Sequence, residues 1–527
     1  MKQRRIRYRS KKGRNPEVPV THVRKGILVM MVCLGILSFC ALAAMLVKLM
    51  LIDHDKYEEL AIRNQTRSTS VTAQRGTIYD RNMNVLAASS SVENVFLDPL
   101  QLSENKVDLD ALSQNLARIL DLDADWIKKQ AEDTRYQYKV LRRRQKQEIR
   151  DQVRQYISEN KIVGVHLEPD SMRYYPYGTL AAQLLGFTNT ENVGSEGLES
   201  YYNGLLEGTA GAVITTKGNN ETEMLYSYEK YYQASDGDSV VLTIDTTVQY
   251  YLEKQLQDAI DRYDVKNGAF GIVFDVDTGD IVAMSTLGSY DPNQYLEIYD
   301  TATNEEVEKL YEEAAALPEG SEERTAAFEK YNNAVAAARL KQWRNRCVSD
   351  GYEPGSTFKI ITLASALDCG AVTLNDHFYC SGSEKFEGRS QILSCWRAAG
   401  HGSETTAETL QNSCNIAFAH IGLMMGGDNL YDYCRAFGLM EQTGIDLPGE
   451  ASGLFHSRER LADNATNGTS YLISTSFGQT VKPTPIQLVR AVGAVVNGGY
   501  LLEPHIVSEV LDSDGNVVQK NSRTVVR

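Results

Sequence analysis

The chain has 527 residues, 42% of them hydrophobic and 23% charged, which is ordinary globular material long enough for two or three domains. Its net charge of -15 hides an asymmetry: residues 1–25 carry ten Lys or Arg against Glu17 alone, a local +9 that leaves -24 for the remainder. A basic tail on an acidic body points to two compartments and gives no ground for nucleic-acid binding.

Gly26 to Val47 is a run of 22 residues without a charge. At about 1.5 Å per residue it is long enough to cross a hydrocarbon core of roughly 30 Å. The expected order is a cytoplasmic basic tail over 1–25 and a transmembrane signal-anchor helix over 26–48. The positive-inside rule then places everything after Lys48 outside the cell membrane, in a single pass. A cleaved signal peptide is the rival reading, with Ala41-Leu42-Ala43 as its processing site. The apolar run exceeds the about 7–15 residues of a signal h-region, which favours an uncleaved anchor. The tail sets topology, and attraction to anionic lipid is its second possible role.

The segment RGTIYDRNMNVLA, residues 75–87, reads as two short strands around an Asp/Asn turn. Residues 104–160 are charged and helix-rich, with LRRRQKQEIRDQVRQYI as the clearest helix. Repeated glycines between 194 and 211 suit tight turns. Tyr226 to Asp238 is a polar linker, and LTIDTTVQYYLEKQL, starting at Leu242, opens the next domain with a strand and a helix. Gly268–Asp275 and Asp280–Thr286 are β-rich runs separated by Val276-Asp277-Thr278-Gly279, a strong hairpin signal. The stretch 294–342 is rich in Glu, Ala and Lys with helical periodicity. A solvated hairpin of helices is its plain reading, and a partner-docking arm the sharper one.

Tyr352-Glu353-Pro354-Gly355-Ser356-Thr357-Phe358-Lys359 sets a serine at a helix start and a lysine three positions later. Pro354 and Gly355 interrupt what precedes, and Ile360 to Leu367 is apolar around most of its circumference, as in a buried helix. Residues i and i+3 share a helix face, so the Lys359 amine can reach the Ser356 hydroxyl. Burial and the positive helix end both disfavour the charged lysine, lowering its pKa until it can act as a base. That pair performs acyl transfer without a histidine, although a bare Ser-x-x-Lys is also what a capping serine and a solvated lysine look like.

Of eight cysteines, Cys33 and Cys40 fall in the apolar run and six lie beyond it. None forms a C-x-x-C and the scattered histidines give no zinc spacing, so no metal site is expected. An oxidising exterior permits disulfides. Cys380 and Cys395 bracket a polar segment that can fold as a hairpin, which leaves two readings open, a bridged pair or two free buried thiols. His401 lies in a Gly-rich turn and is assigned a structural role rather than that of a general base.

The flanks of Ser356 and Lys359 resemble the active-site segment of class B penicillin-binding proteins, where the pair follows a Glu-Pro-Gly triplet. RGTIYDRNMNVLA is similar to that family's RGxIxDRNGxxLA signature, with Met83 where glycine usually stands. Further resemblances lie at Arg173-Tyr174-Tyr175-Pro176, at residues 194–211, at the Gly268–Thr286 hairpin, at Cys395-Trp396 with His401-Gly402, at TGIDLPGE and at SFGQTVKPTPIQL. Ser413-Cys414-Asn415 resembles the Ser-x-Asn motif, about sixty residues after Ser356 as the family requires.

The resemblance, closest to the division and sporulation type, implies an α+β protein. Its parts are the transmembrane helix, an elongated β-rich non-catalytic pedestal over 49–235, and a transpeptidase domain over 236–527 with an antiparallel sheet sandwiched by helices. A helical insertion sits at about 294–342. It assigns catalysis to Ser356, Lys359, Ser413 and Asn415, with Ser413 relaying a proton and Asn415 holding the substrate amide. Arg75, Asp80 and Arg81 knit the pedestal together, with Glu199 as an arginine partner. The implied reaction is cross-linking of peptidoglycan stem peptides through a serine acyl-enzyme, open to beta-lactams and needing no cofactor or metal. Implied partners are a membrane-embedded glycosyltransferase and other division or spore-envelope proteins. The family's Lys-Thr-Gly motif, which supplies half of the oxyanion hole, does not occur where it is required, so the sequence reads as an incomplete copy of a longer protein. A non-catalytic wall-assembly scaffold or beta-lactam-binding receptor is the alternative.

Overall fold

The computed structural model describes residues 21–53, 66–71, 73–216, 229–463 and 468–527. The first twenty residues of the basic tail and part of the 226–238 linker lie outside the described residues. Two compact units emerge, one of residues 1–70 and 212–232, the other of residues 71–211 and 233–527.

In the first unit the helix Thr21–Val47 runs on into a short wide turn, Lys48–Ile52. Its apolar residues stay exposed on every side, with Leu37 at 71% and Phe39 at 73%. A helix apolar all round with none of the described residues packed on it is matched to lipid, not to water. The same unit holds a three-stranded sheet of Thr66–Val71, Gly211–Thr216 and Glu229–Tyr232.

The second unit is organised by a seven-stranded sheet. Across it run Val517–Lys520, Val507–Leu511, Ser239–Leu242, Ile78–Tyr79, Val85–Leu97 and Lys139–Gln145, while Val165–Tyr174 also pairs with Val85–Leu97. The strands Ile78–Tyr79 and Val85–Leu97 are antiparallel around the expected turn. Met83 takes φ +64° there, the left-handed conformation that favours glycine. The Asp80 carboxylate accepts from the backbone N–H of Asn82 and of Asn84, both at 2.8 Å, and closes the turn.

One expected helix is half wrong. Lys139–Gln145 is a strand, paired antiparallel with Val85–Leu97, and the helix covers Gln147–Asn160 only. Leu141 and Gln145 are buried and Arg143 is exposed, and pairing with Val85–Leu97 holds the stretch as an edge strand despite its helix-forming residues.

Glu199 is fully buried beneath this sheet. It accepts from Arg75 Nε at 2.6 Å, Arg173 Nε at 2.5 Å and the Tyr175 hydroxyl at 3.2 Å. Arg75 also donates to Asn203 Oδ1 at 2.8 Å, and Arg173 to the Gly76 carbonyl at 2.7 Å. The anticipated pairing of Glu199 with Arg75 is therefore present, with a second arginine added. Asp80 and Arg81, expected to knit the pedestal together, also reach past residue 235. Asp80 accepts from Thr246 Oγ1 at 2.6 Å, the Arg81 N–H donates to the Ile244 carbonyl at 2.9 Å, and the Arg81 guanidinium faces Asp280 at 3.8 Å.

The hairpin Phe270–Phe274 and Ile281–Thr286 pairs antiparallel, turning at Gly279. Helix Thr246–Tyr263 covers one of its faces, placing Leu252 and Leu256 over Gly271. Helix Pro485–Val496 covers the other, with Gly493 against Phe274. Between this hairpin and the nucleophile segment run two helices, Thr301–Ala315 and Glu322–Trp343, joined by a short turn and held by Tyr311, Phe328 and Tyr331. The helices from Lys359 onward enclose an apolar core built on Phe358, Ile361, Phe418, Ile421, Ile473 and Phe477. That core carries the site.

Candidate active site

Gly355–Phe358 forms a tight 3-10 turn that continues as the α-helix Lys359–Asp368. Apolar Ile361, Leu363 and Ala366 bury the helix, and the turn lifts Ser356 to the surface. Backbone bonds from the 476–484 segment hold that turn. Gly355 N–H donates to the Gly478 carbonyl at 2.9 Å, Tyr352 N–H to the Pro483 carbonyl at 3.1 Å, and Thr480 N–H to Glu353 Oε1 at 3.0 Å. Gly478 has φ +81°, and a Cβ there would lie 2.1 Å from the Gly355 carbonyl oxygen. SFGQTVKPTPIQL therefore sets the backbone of the nucleophile segment, a role its sequence did not disclose.

Helix Thr406–Gln411 starts on a capping box between Thr405 and Glu408 and stops at Ser413, whose φ of +50° turns the chain sharply into helix Asn415–Met425. A serine in the left-handed region is strained by an amount on the order of 1 kcal/mol and persists only where its surroundings impose it. Here the N–H of Ser413 donates to the Leu410 carbonyl and that of Cys414 to the Thr409 carbonyl. Trp396 Nε1 caps the Asn412 carbonyl at 3.0 Å, and Asn412 Nδ2 reaches Glu404 at 2.8 Å.

The turn delivers three oxygens to one amine. Lys359 Nζ donates to the Ser413 carbonyl at 2.8 Å, to Ser413 Oγ at 3.1 Å and to Asn415 Oδ1 at 2.8 Å, and it lies 5.2 Å from the centre of the Phe418 ring. These acceptors satisfy all three protons of an ammonium. Lys359 is nonetheless fully buried, and loss of hydration pulls its pKa down from 10.5 to about 8.

Of the four residues singled out from sequence, Lys359, Ser413 and Asn415 are joined directly. Ser356 stands one turn before Lys359, exposed, and its hydroxyl makes no hydrogen bond with a described residue. The expected Ser356–Lys359 hydrogen bond is absent because the amine's donors are committed to the Ser413–Asn415 turn. A group poised beside a free nucleophile in this way serves a substrate that completes the arrangement.

Cys380, Cys395 and Cys414 are free thiols. The Ser383–Glu384 and Leu393–Ser394 strands pair and bring Cys380 and Cys395 together as the hairpin reading required. Cys414 and His401 join them, so a metal-competent group of four exists where no metal site was expected. The spacing of these residues carries no zinc signature, because three separate turns bring them together.

Residues 269–526 match the family described as the penicillin binding protein transpeptidase domain, and residues 70–242 match the penicillin-binding protein dimerisation domain. Stage V sporulation protein D of Bacillus subtilis (strain 168) is 32% identical over 93% of this chain and 68% of its own length. The chain belongs to the class B penicillin-binding proteins. The probable peptidoglycan D,D-transpeptidase PenA of Neisseria meningitidis serogroup A is 25% identical over 92% of this chain and 74% of its own. Among solved structures, penicillin binding protein 2X from Streptococcus thermophilus shares the fold with a TM-score of 0.63, at 23% identity over 87% of this chain and 63% of that one. The N-terminal helix, long and apolar enough over Arg24–Met50 to cross a membrane, makes this penicillin-binding protein a membrane-anchored one.

Proposed function

We propose that this class B penicillin-binding protein is a serine D,D-transpeptidase that cross-links peptidoglycan stem peptides during division or sporulation. The observation that carries the reading is the buried Lys359, held by the Ser413–Asn415 turn one helical turn after an exposed Ser356. Ser356 Oγ attacks the carbonyl between two terminal D-alanines while neutral Lys359 accepts its proton. Ser413 passes a proton to the departing amine, D-alanine leaves, and an amine from a neighbouring stem resolves the acyl-enzyme. Asn415 holds the substrate's amide and keeps Lys359 in place. Beta-lactams acylate the same oxygen.

The anchor over 26–48 keeps the basic tail cytoplasmic, with the pedestal over 49–235 and the catalytic region over 236–527 outside. A membrane glycosyltransferase and other division or spore-envelope proteins are the matching partners, since no part of the sequence reads as a glycan polymerase. The test is fluorescent penicillin labelling of the protein produced from its own gene. Ser356→Ala abolishes labelling and leaves membrane localisation intact. Persistent labelling of that variant overturns the assignment, and labelling without release of D-alanine from a stem peptide moves the reading to a beta-lactam receptor.

A further inference from the structure

We propose that Cys380, Cys395, His401 and Cys414 form a tetrahedral zinc site that braces the Ser413–Asn415 turn. One ligand atom from each of the four lies within 4.8 Å of all the others. A Cys3His zinc site with Zn–S of about 2.3 Å and Zn–N of about 2.0–2.1 Å needs ligand atoms about 3.5–3.8 Å apart. Cys395 Sγ and His401 Nδ1 already stand at 3.7 Å. The rest of the site closes with movements of an ångström or less.

Burial argues against a solvated cluster. Cys380, Cys395 and Cys414 are at most 5% exposed and the His401 side chain 2%. Among the described residues His401 Nε2 is buried without a hydrogen-bond partner, as is Glu404 Oε2, which lies 3.8 Å from His401 Nδ1. His401 Nδ1 faces the weakly polar Cys395 thiol at 3.7 Å and the Glu404 carboxylate at 3.8 Å, and a divalent cation on Nδ1 gives the enclosed ring and thiols a stronger partner than they offer one another. Thiolate sulfur with imidazole nitrogen in a four-ligand set selects zinc over the hard cations.

The backbone around the cluster is built to close tolerances. Cys380 ends the strand His377–Cys380, paired with Gly402–Thr405, and Cys395 N–H donates to the Gly382 carbonyl at 2.8 Å. Gly400 has φ +74°, and a Cβ there would lie 2.2 Å from the Cys380 carbonyl oxygen, so the loop bearing Cys395 and His401 presses directly on the strand bearing Cys380. Cys414 comes from a third place, the N-cap of helix Asn415–Met425. Binding of Zn²⁺ releases the three thiol protons to solvent, and neutral His401 contributes a lone pair, leaving a site of net charge -1. One ion thereby ties Cys414, the middle residue of Ser413-Cys414-Asn415, to the strand end at Cys380 and the loop bearing Cys395 and His401. The bracing role rests on the active-site reading, whereas occupancy by zinc does not.

The test uses the full chain, purified in detergent without chelator from cells grown with added zinc. Elemental analysis gives about one zinc per chain, reduced at least tenfold in Cys380→Ser and in His401→Ala. Because either variant can fail to fold, zinc-stripped wild-type protein is also titrated with Co²⁺. It develops intense thiolate-to-cobalt charge-transfer absorption, saturating at one equivalent and erased by added zinc. A stripped protein that keeps its far-ultraviolet circular dichroism yet shows no such absorption overturns the site. So does a disulfide between any two of the three cysteines in the zinc-supplemented protein. If zinc binds stoichiometrically but stripping leaves penicillin acylation unchanged, the site stands and the bracing role falls.

Discussion

If Lys359 is the base, acylation of Ser356 follows the neutral fraction of a lysine whose pKa burial has lowered from 10.5 to about 8. At pH 7 roughly one molecule in ten then carries a neutral amine, against roughly one in 3,000 for an ordinary lysine, so burial alone raises the reactive population about 300-fold. The sign is fixed by the chemistry, since the amine accepts a proton only when it has none to spare. Single-turnover acylation by a fluorescent penicillin, followed between pH 5.5 and pH 9.5, rises about tenfold per pH unit and levels off near pH 8. Lys359→Arg removes this profile and at least a hundredfold of the rate, because guanidinium stays protonated throughout the range. The same depressed value makes stability rise with pH between about 8 and 10.5, where the unfolded chain still holds the proton that the folded one has lost. A flat acylation profile from pH 6 to 9, or a rate still climbing tenfold per unit at pH 9.5, would refute the assignment.

Glu199→Ala strands Arg75 and Arg173, each 4% exposed, without a counter-charge. Removing one partner of a buried pair costs about 3–5 kcal/mol, measurable by urea unfolding, and a loss below about 1 kcal/mol would show that the pair does not hold the sheet together. Gly478→Ala drives a Cβ to 2.1 Å from the Gly355 carbonyl at a φ of +81°. The strain displaces the Ser356 turn, so acylation falls at least tenfold while the circular dichroism spectrum persists, and an unchanged acylation rate would deny the 476–484 segment its positioning role.

Features confined to one stretch of chain were legible. The Ser356–Lys359 spacing, the Gly268–Thr286 hairpin, the turn at Asp80 and the apolar N-terminal helix each depend on neighbours a few residues away, where periodicity and turn chemistry act. Local reasoning failed at Lys139–Gln145, where helix-forming residues are drawn into a strand by pairing with Val85–Leu97 some fifty residues earlier. The arginine partners of Glu199 were only half anticipated: the family signature pointed to Arg75, 124 positions away, but nothing local marked Arg173, 26 positions away, as sharing the same buried carboxylate.

The site divides in the same way. Residue type and spacing marked Ser356 and Lys359, and the family resemblance marked Ser413 and Asn415, but the partners of Lys359 Nζ lie 54 and 56 positions away and were assigned by packing. The four potential zinc ligands sit on a strand end, a loop and a helix cap that no fixed spacing connects, and the glycine-permitted approach of Gly400 to Cys380 is visible only in three dimensions. By itself the sequence determined which chemical groups this protein has and which local turns and helices display them. Only the tertiary structure decided which groups meet, because contacts between distant segments are selected by the burial of apolar surface and the pairing of buried polar atoms across the whole fold.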